Sequence, residues 1–280
     1  MKNLYKLISK TPNYVRRFGL FSGLRLLFQI EGLKQRPQKS TVLRQYRVPG
    51  VIHPVFLRDC VGDHATFWQC LVMNQYEMRN FPQFKRVKEK CLTKTEDPSR
   101  PLIIDCGGNI GLSCIWFANA FPTARIFVVE PEDQNFLILK ENIKNYKNIT
   151  ALKGGVWNSH GFLKITNPDA GPASFRLESV AGESTDNTLR CYTINEICEI
   201  ANDAHPFIVK LDIEGAQKKL FASNTDWVNK ADIITLELDD WLLPWQGTSK
   251  AFFKCLSQYN FEYLLSGESI FCFRDANSGD

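Results

Sequence analysis

No CxxC pair occurs in the 280 residues, although the chain carries nine cysteines. The common structural zinc spacings are therefore excluded. An odd, scattered set in a chain of this length reads as reduced, buried thiols of a cytosolic protein. Cys106 is read as small apolar filler. Histidine is scarce, and His53, His64, His160 and His205 are too dispersed to frame a metal site. The GxGxxG turn of dinucleotide binders is missing. No apolar run reaches the length of a bilayer span. "MKNLYKLISK" lacks the apolar core of a secretory signal, and "FGLFSGLRLLFQI" is cut by Arg25 and has no small-residue cleavage site. Repeats and low-complexity tracts are absent too. Acid is almost missing from residues 1 to 50, where eleven Lys and Arg face only Glu31. That segment is +10 within a chain of net charge +4, so the remaining 230 residues sum to −6.

A basic arm ahead of a mildly acidic body suits an anionic partner such as a membrane surface, or else is a solvated terminus. "TPNYVRRFGLFSGLRLLFQI" is expected to be helical, with Thr11 as N-cap and Pro12 in the first turn. Phe18, Phe21, Leu24 and Phe28 recur at helical spacing beside Arg16, Arg17 and Arg25. Such a stripe either lies in a membrane interface or packs onto its own domain. The expected organisation is a basic helical arm over 1–45, a lead-in over 46–100 and a ligand-binding domain over 101–275. The lead-in contains a hairpin turning at Pro49-Gly50, one or two helices over 63–92 with Asp63 as N-cap, and a linker at 94–100.

From residue 101 the pattern becomes rhythmic. "LIID", "RIFVVE", "ITALKGGVW", "FIVKLDIEG" and "DIITLEL" read as buried strands separated by helical segments, and "FEYLLSGESIFCFR" as an antiparallel closing pair. "GFLKIT" adds a hairpin, and 166–187 is a turn-rich mobile loop. Alternating strands and helices imply an α/β, Rossmann-like, doubly wound and mostly parallel sheet. Ligands of such sheets bind beyond the carboxyl ends of the strands. Asp105, Glu130, Asp212, Glu214 and Glu237 all fall at such ends.

"PLIIDCGGNIGLS" places Asp105 before Gly107, Gly108, Asn109 and Gly111. An acid here would repel a pyrophosphate and welcome a cationic amino-acid group. Glu130 ends the next strand, where its two acceptor oxygens suit a vicinal diol. Pro131, after the second strand, and Val156 and Trp157, at the end of the third, complete the candidate cofactor set.

This turn resembles the first motif of S-adenosylmethionine-dependent methyltransferases. Asn109, "VEPEDQNFLILKENI" and "VKLDIEGAQ" narrow the resemblance to the FkbM-type methyltransferases, as does "HPVFLRDCVGDHATFWQCLVMNQYE" with Asp63 at a frequent acid. It extends over about residues 50 to 274. The resemblance implies the seven-stranded class I methyltransferase fold with an antiparallel last strand. It also implies S-adenosyl-L-methionine as cofactor, Asp105 near its amino group and Glu130 on its ribose hydroxyls. The implied activity is O-methylation of a sugar, polysaccharide precursor or natural product. Two departures stand near the acceptor: Gln217 replaces an acid, and "LELDDWLLPW" lacks the histidine that many members carry.

On an extended strand Lys210, Asp212 and Glu214 share one face. Asp212 or Glu214 is the expected general base, with Glu237 the third choice. Lys210 would keep the carboxylates ionised or stabilise an alkoxide. No metal is expected, since no Asp-Asn pair follows the fifth strand. Asp63, His64, Trp241 and Trp245 are candidate acceptor contacts, the tryptophans either stacking on sugar or packing in the rim. The loop at 166–187 would close over the acceptor. Two rivals stand beside this reading. A nucleic-acid methyltransferase is opposed by the absence of N/D-P-P-Y/F/W and Pro-Cys, and nucleic acid is not an expected partner. A non-catalytic cofactor-binding scaffold on a membrane-associated glycan assembly is opposed by four carboxylates at strand ends. The expected location is cytoplasmic, peripheral to the inner face of the membrane if the arm docks there.

Overall fold

The computed structural model describes residues 2–32, 36–92, 100–167, 177–180, 185, 188–213, 216–238, 240 and 244–275. The apolar segments from residue 101 onward assemble into a seven-stranded sheet. Its strands are β1 (Leu102–Cys106), β2 (Arg125–Glu130), β3 (Ile149–Lys153), β4 (Pro206–Leu211), β5 (Ile233–Glu237), β6 (Phe261–Ser266) and β7 (Ser269–Arg274). The spatial order is β6-β7-β5-β4-β1-β2-β3. Strands β1 to β5 run parallel, and β7 is antiparallel to both β5 and β6. The chain therefore leaves the sheet centre toward β3 and returns to β4 on the other side of β1. A crevice opens at such a reversal, beyond the carboxyl ends of the strands.

The N-terminal segment differs from its sequence expectation. Helix α1 (Lys2–Phe18) begins well before Thr11 and continues through Pro12. Thr11 is an interior residue whose hydroxyl donates to Leu7 O at 2.9 Å. Burial outweighs the proline, because Leu7 and Tyr14, two turns apart, both enter the core. Gly19, at φ +79, breaks the helix and starts α2 (Leu20–Ile30), which folds back on α1. A hairpin of Leu43–Tyr46 with Val55–Arg58 follows. Next come α3 (Val61–Phe67), a π-helical turn (Trp68–Val72) and α4 (Pro82–Leu92). The cap position of α3 is Cys60. Asp63 lies inside the first turn, so its expected N-cap role is corrected.

Period-two alternation sorts the strand side chains between two layers. Ile103, Ile126, Val128 and Ile208 face a core built with α1, α2, α4, α5 (Leu112–Ala120) and α6 (Asp133–Ile143). Leu102, Ile104, Phe127, Val129 and Val209 face the other layer. That layer contains α7 (Ile194–Ile200), α8 (Gln217–Leu220) and α9 (Thr248–Leu256). The arm and lead-in thus share one core with the sheet. The expected third strand divides: β3 stops at Lys153, and Gly155–Val156 enters a four-stranded sheet with Leu189–Tyr192, Phe162–Ile165 and Leu177–Val180. The eight cysteines whose side chains are described are free and buried.

Candidate active site

The turn after β1 is shaped by close packing. Gly107 has φ +82, and a Cβ there would lie 1.9 Å from the backbone oxygen of Asp212. A Cβ on Gly108 would lie 2.1 Å from Val128 Cγ2. The backbone after β4 and the side chain from β2 leave room only for hydrogen, the usual reason for glycine at a close approach. Both glycine N–H groups donate to Val129 O, at 3.0 and 2.9 Å. Asn109 then adopts φ +49, which turns its N–H toward Glu130 Oε2 at 2.8 Å. Gly111, at φ +89, leads into α5.

Glu130 is 4% exposed and lines a cavity of about 380 Å³ at the carboxyl ends of the strands. Its Oε1 accepts from Glu132 N at 2.9 Å and from Asn135 Nδ2 at 3.4 Å. Burial pushes its pKa up to about 7 against the stabilising N–H groups of Glu132 and Asn109 and the Asn135 amide. Pro131 and Val156 line the same cavity.

Asp105 does not. It has no exposed surface, and it is the register partner of Lys210 across β1 and β4. Lys210 Nζ lies 2.9 Å from Asp105 Oδ1 and donates to Gly107 O at 2.7 Å. Ser113 Oγ donates to Asp105 Oδ2 at 2.5 Å. Burial alone would lower the Lys210 pKa, but Asp105, Tyr76 and Asp212 outweigh it and hold the ammonium well above its usual range. The expected contact of Asp105 with a ligand amino group is therefore corrected: its carboxylate is enclosed between Lys210 and Ser113. Lys210 reaches the cavity wall already committed to Asp105 and the glycine turn, with Asp212 Oδ2 at 3.4 Å.

The carboxyl ends of β4 and β5 bring Asp212 and Glu237 to one wall of the cavity. Asp212 is held through its N–H to Cys106 O at 3.0 Å, and its side chain is 44% exposed. Burial, then repulsion by Asp212 and Glu268, pushes Glu237 up to about 7. Gln75 Nε2 donates to Glu237 Oε1 and also reaches Ser269 Oγ at 3.3 Å. Gln217, 1% exposed, donates from Nε2 to Glu237 O at 2.5 Å. A carboxylate at 217 could not make that bond, which gives the departure from the motif a physical use.

Other candidates fall elsewhere. Trp157 is buried in the core beneath the small sheet. Asp63 is fully buried, accepting from Arg58 N at 2.7 Å and pairing with its guanidinium at 2.8 Å. Arg58 Nη2 donates to Asn135 Oδ1 at 2.6 Å, and Asn135 reaches Glu130. Asp63 thus supports the Glu130 carboxylate through two intermediaries and does not line the cavity. His64, 5% exposed, lines a separate cavity against Lys10, Glu31 and Arg36. Burial, with Arg36 nearby, lowers its pKa to about 4. Trp245 is fully exposed and does not line the cavity that holds Glu130. Glu214 and Trp241 lie outside the described residues, as does most of the loop expected at 166–187; within that span Leu177–Val180 is a strand and not loop, and Leu177 lines the cavity. Among the described residues no group of three or more His, Cys, Asp or Glu side chains could hold a metal ion. The sequence reading missed Gln75, Tyr76, Ser113 and Glu268 on the cavity wall. Gln75 and Tyr76 sit in "MNQYE", inside the lead-in already singled out. Ser113 ends the glycine-turn stretch and Glu268 sits in the closing strand pair, and neither residue type marked it as a site.

A family model described as "Methyltransferase FkbM domain" matches residues 105–263. A curated relative, the methyltransferase sdnD of Sordaria araneosa, is 31% identical over 81 residues. That alignment spans 28% of this chain and 31% of the relative, so the chain matches about a third of that protein's length. Among solved structures, precorrin-6y C5,15-methyltransferase from Geobacter metallireducens is 15% identical, covering 68% of this chain and 87% of that one at a TM-score of 0.35. TYW2 of P. horikoshii, solved in complex with MeSAdo, is 12% identical over 84% of this chain and 73% of its own, also at 0.35. Both likenesses are too loose to bear on chemistry.

Proposed function

Because the chain belongs to the FkbM methyltransferase family, we propose that it uses S-adenosyl-L-methionine to methylate a hydroxyl of a sugar, polysaccharide precursor or secondary metabolite. Its sheet has the strand order of the class I methyltransferase fold. The observation that carries the reading is Glu130, a buried carboxylate aimed into a cavity at the reversal of strand order.

The residues present fit the cofactor. A carboxylate offers about four lone-pair positions. At Glu130 the N–H groups of Asn109 and Glu132 take two at short range, at 2.8 and 2.9 Å. The remainder, one of them held only weakly by Asn135 Nδ2 at 3.4 Å, would accept the ribose hydroxyls. Gly107 and Gly108 leave the turn beside it without side chains. The cavity lies within the roughly 300–1,000 Å³ usual for small-ligand clefts. When bound, the cofactor supplies a methyl group activated by a sulfonium. Asp212 and Glu237 face the acceptor region, where a hydroxyl is a poor nucleophile until its proton begins to leave. Asp212 would take that proton, and Glu237, able to exchange a proton near neutral pH, would add negative charge beside it.

Calorimetry with S-adenosylmethionine and its demethylated product tests the cofactor assignment. Glu130→Gln is expected to weaken binding about a hundredfold, from two charge-assisted hydrogen bonds at roughly 1.5 kcal/mol each. Protonation removes the acceptor, so wild-type affinity should rise from pH 6 through about 7 and then level toward pH 8. The variant should lack that rise, and an equal affinity in variant and wild type rejects the ribose role. Methyl transfer to a panel of sugar hydroxyls, metabolite hydroxyls and amines tests the acceptor class; transfer confined to amines rejects O-methylation.

A further inference from the structure

Helix α2, "LFSGLRLLFQI", confines its polar side chains to a narrow sector of Ser22, Arg25 and Gln29, and carries one charge, Arg25. Its apolar arc is therefore wider than the one face a surface helix normally buries. Here Leu26, Leu27 and Ile30 enter the core, while Leu20, Phe21 and Phe28 are 56%, 86% and 60% exposed. On the adjoining α1, Tyr5 and Ile8 stand one turn apart and are exposed too. The sequence left two readings of this stripe, core packing or an interface; the structure divides the residues between them.

Charge selects what could cover the exposed part. Together α1 and α2 contain Lys2, Lys6, Lys10, Arg16, Arg17 and Arg25 and no acid. Glu31, the one acid among the first 50 residues, is 5% exposed and closed in by Lys10 at 2.6 Å and Tyr14 Oη at 3.2 Å. What faces outward from the two helices is therefore apolar and cationic. A second copy docking through the same face would set cations against cations. Among the described residues no helix is long and apolar enough to cross a membrane, so this hairpin would lie on a surface. We infer that the outer face of α1 and α2 binds an anionic lipid bilayer, with Tyr5, Ile8, Leu20, Phe21 and Phe28 entering the headgroup boundary and Arg16 and Arg25 facing the phosphates, while Lys6 stays beside Glu31 at 3.5 Å. Aromatic and aliphatic side chains flanked by Lys and Arg are the composition that interfacial helices use. This docking is independent of the transferase reading.

Flotation of the full chain with vesicles tests it. Binding is expected to phosphatidylcholine vesicles containing phosphatidylglycerol, at least tenfold weaker to phosphatidylcholine alone, and weakened by added salt. Phe21→Ser/Phe28→Ser should lose at least tenfold on the anionic vesicles with an unchanged circular dichroism spectrum, and Arg16→Glu/Arg25→Glu should do the same. No wild-type binding to anionic vesicles overturns the inference, as does undiminished binding by both variants. So does a stable dimer in solution that the double serine variant dissociates, because a second copy then covers the face.

Discussion

Lys210→Met should lower the free energy of unfolding by about 3–5 kcal/mol, the cost of leaving one member of a buried pair without its counter-ion. Lys210 is 2% exposed and Asp105 is fully buried, so water cannot replace the lost ammonium. Two further contacts go with it: the bond to Gly107 O, and the attraction that draws Asp212 toward the same point. Loss of the former frees the glycine turn from β4, so cofactor affinity should fall together with stability. The double variant Asp105→Leu/Lys210→Met separates charge from packing. Removing both members of a buried pair is often close to neutral, so most of the lost stability should return while cofactor affinity stays low. Urea unfolding followed by circular dichroism gives the first quantity and calorimetry the second. A loss below about 1 kcal/mol for Lys210→Met would place the pair among those worth no more than a surface salt bridge.

That pair also marks where a sequence stops being readable. Asp105 stood out because an acid before glycines is chemically unusual, and Lys210 because it shares a strand face with Asp212. Nothing local says that they are partners. Their contact depends on the register of two parallel strands about a hundred residues apart, which no periodicity encodes. The main strands were legible because "LIID", "RIFVVE" and "DIITLEL" are nearly unbroken apolar runs, as strands covered on both faces must be. "LRCY" at 189–192 is short and mixed, and its pairing with Gly155–Val156 and Phe162–Ile165 went unseen.

The site divides in the same way. Glu130 and Asp212 are where strand ends put them, and the glycine turn was legible from composition alone. Asp63 and His64 were misplaced because a short helix points successive residues to different sides. One supports Glu130 from the core, and the other lines a cavity beside Glu31. Pro12 misled for a related reason. It is a good helix starter in isolation, but burial of Leu7 and Tyr14 on one face carries α1 through it.

Asp212→Asn is the variant expected to remove turnover while sparing cofactor binding. Loss of a general base costs about 10²–10⁴-fold in kcat, and the amide keeps the shape of the side chain and its backbone hold on Cys106 O. Cofactor affinity should remain within about twofold, since a change of that size is under 0.5 kcal/mol. Glu237 makes a second, graded prediction. Burial and the Asp212 charge raise its pKa to about 7, against the pull of Lys210 and Gln75. Below that pH Glu237 is neutral; above it, its negative charge stands at the strand ends and favours departure of the proton from the acceptor hydroxyl toward this pair. At saturating cofactor, kcat should therefore climb through about pH 7 and then level. Glu237→Gln should flatten that rise and hold kcat at its low-pH value. The Glu130 ionisation falls in the same range but acts on cofactor affinity, so it should appear in the cofactor KM and leave kcat alone. A wild-type kcat that is flat from pH 6 to pH 8, or an Asp212→Asn enzyme with undiminished turnover, moves the proton acceptor away from this pair of strand ends.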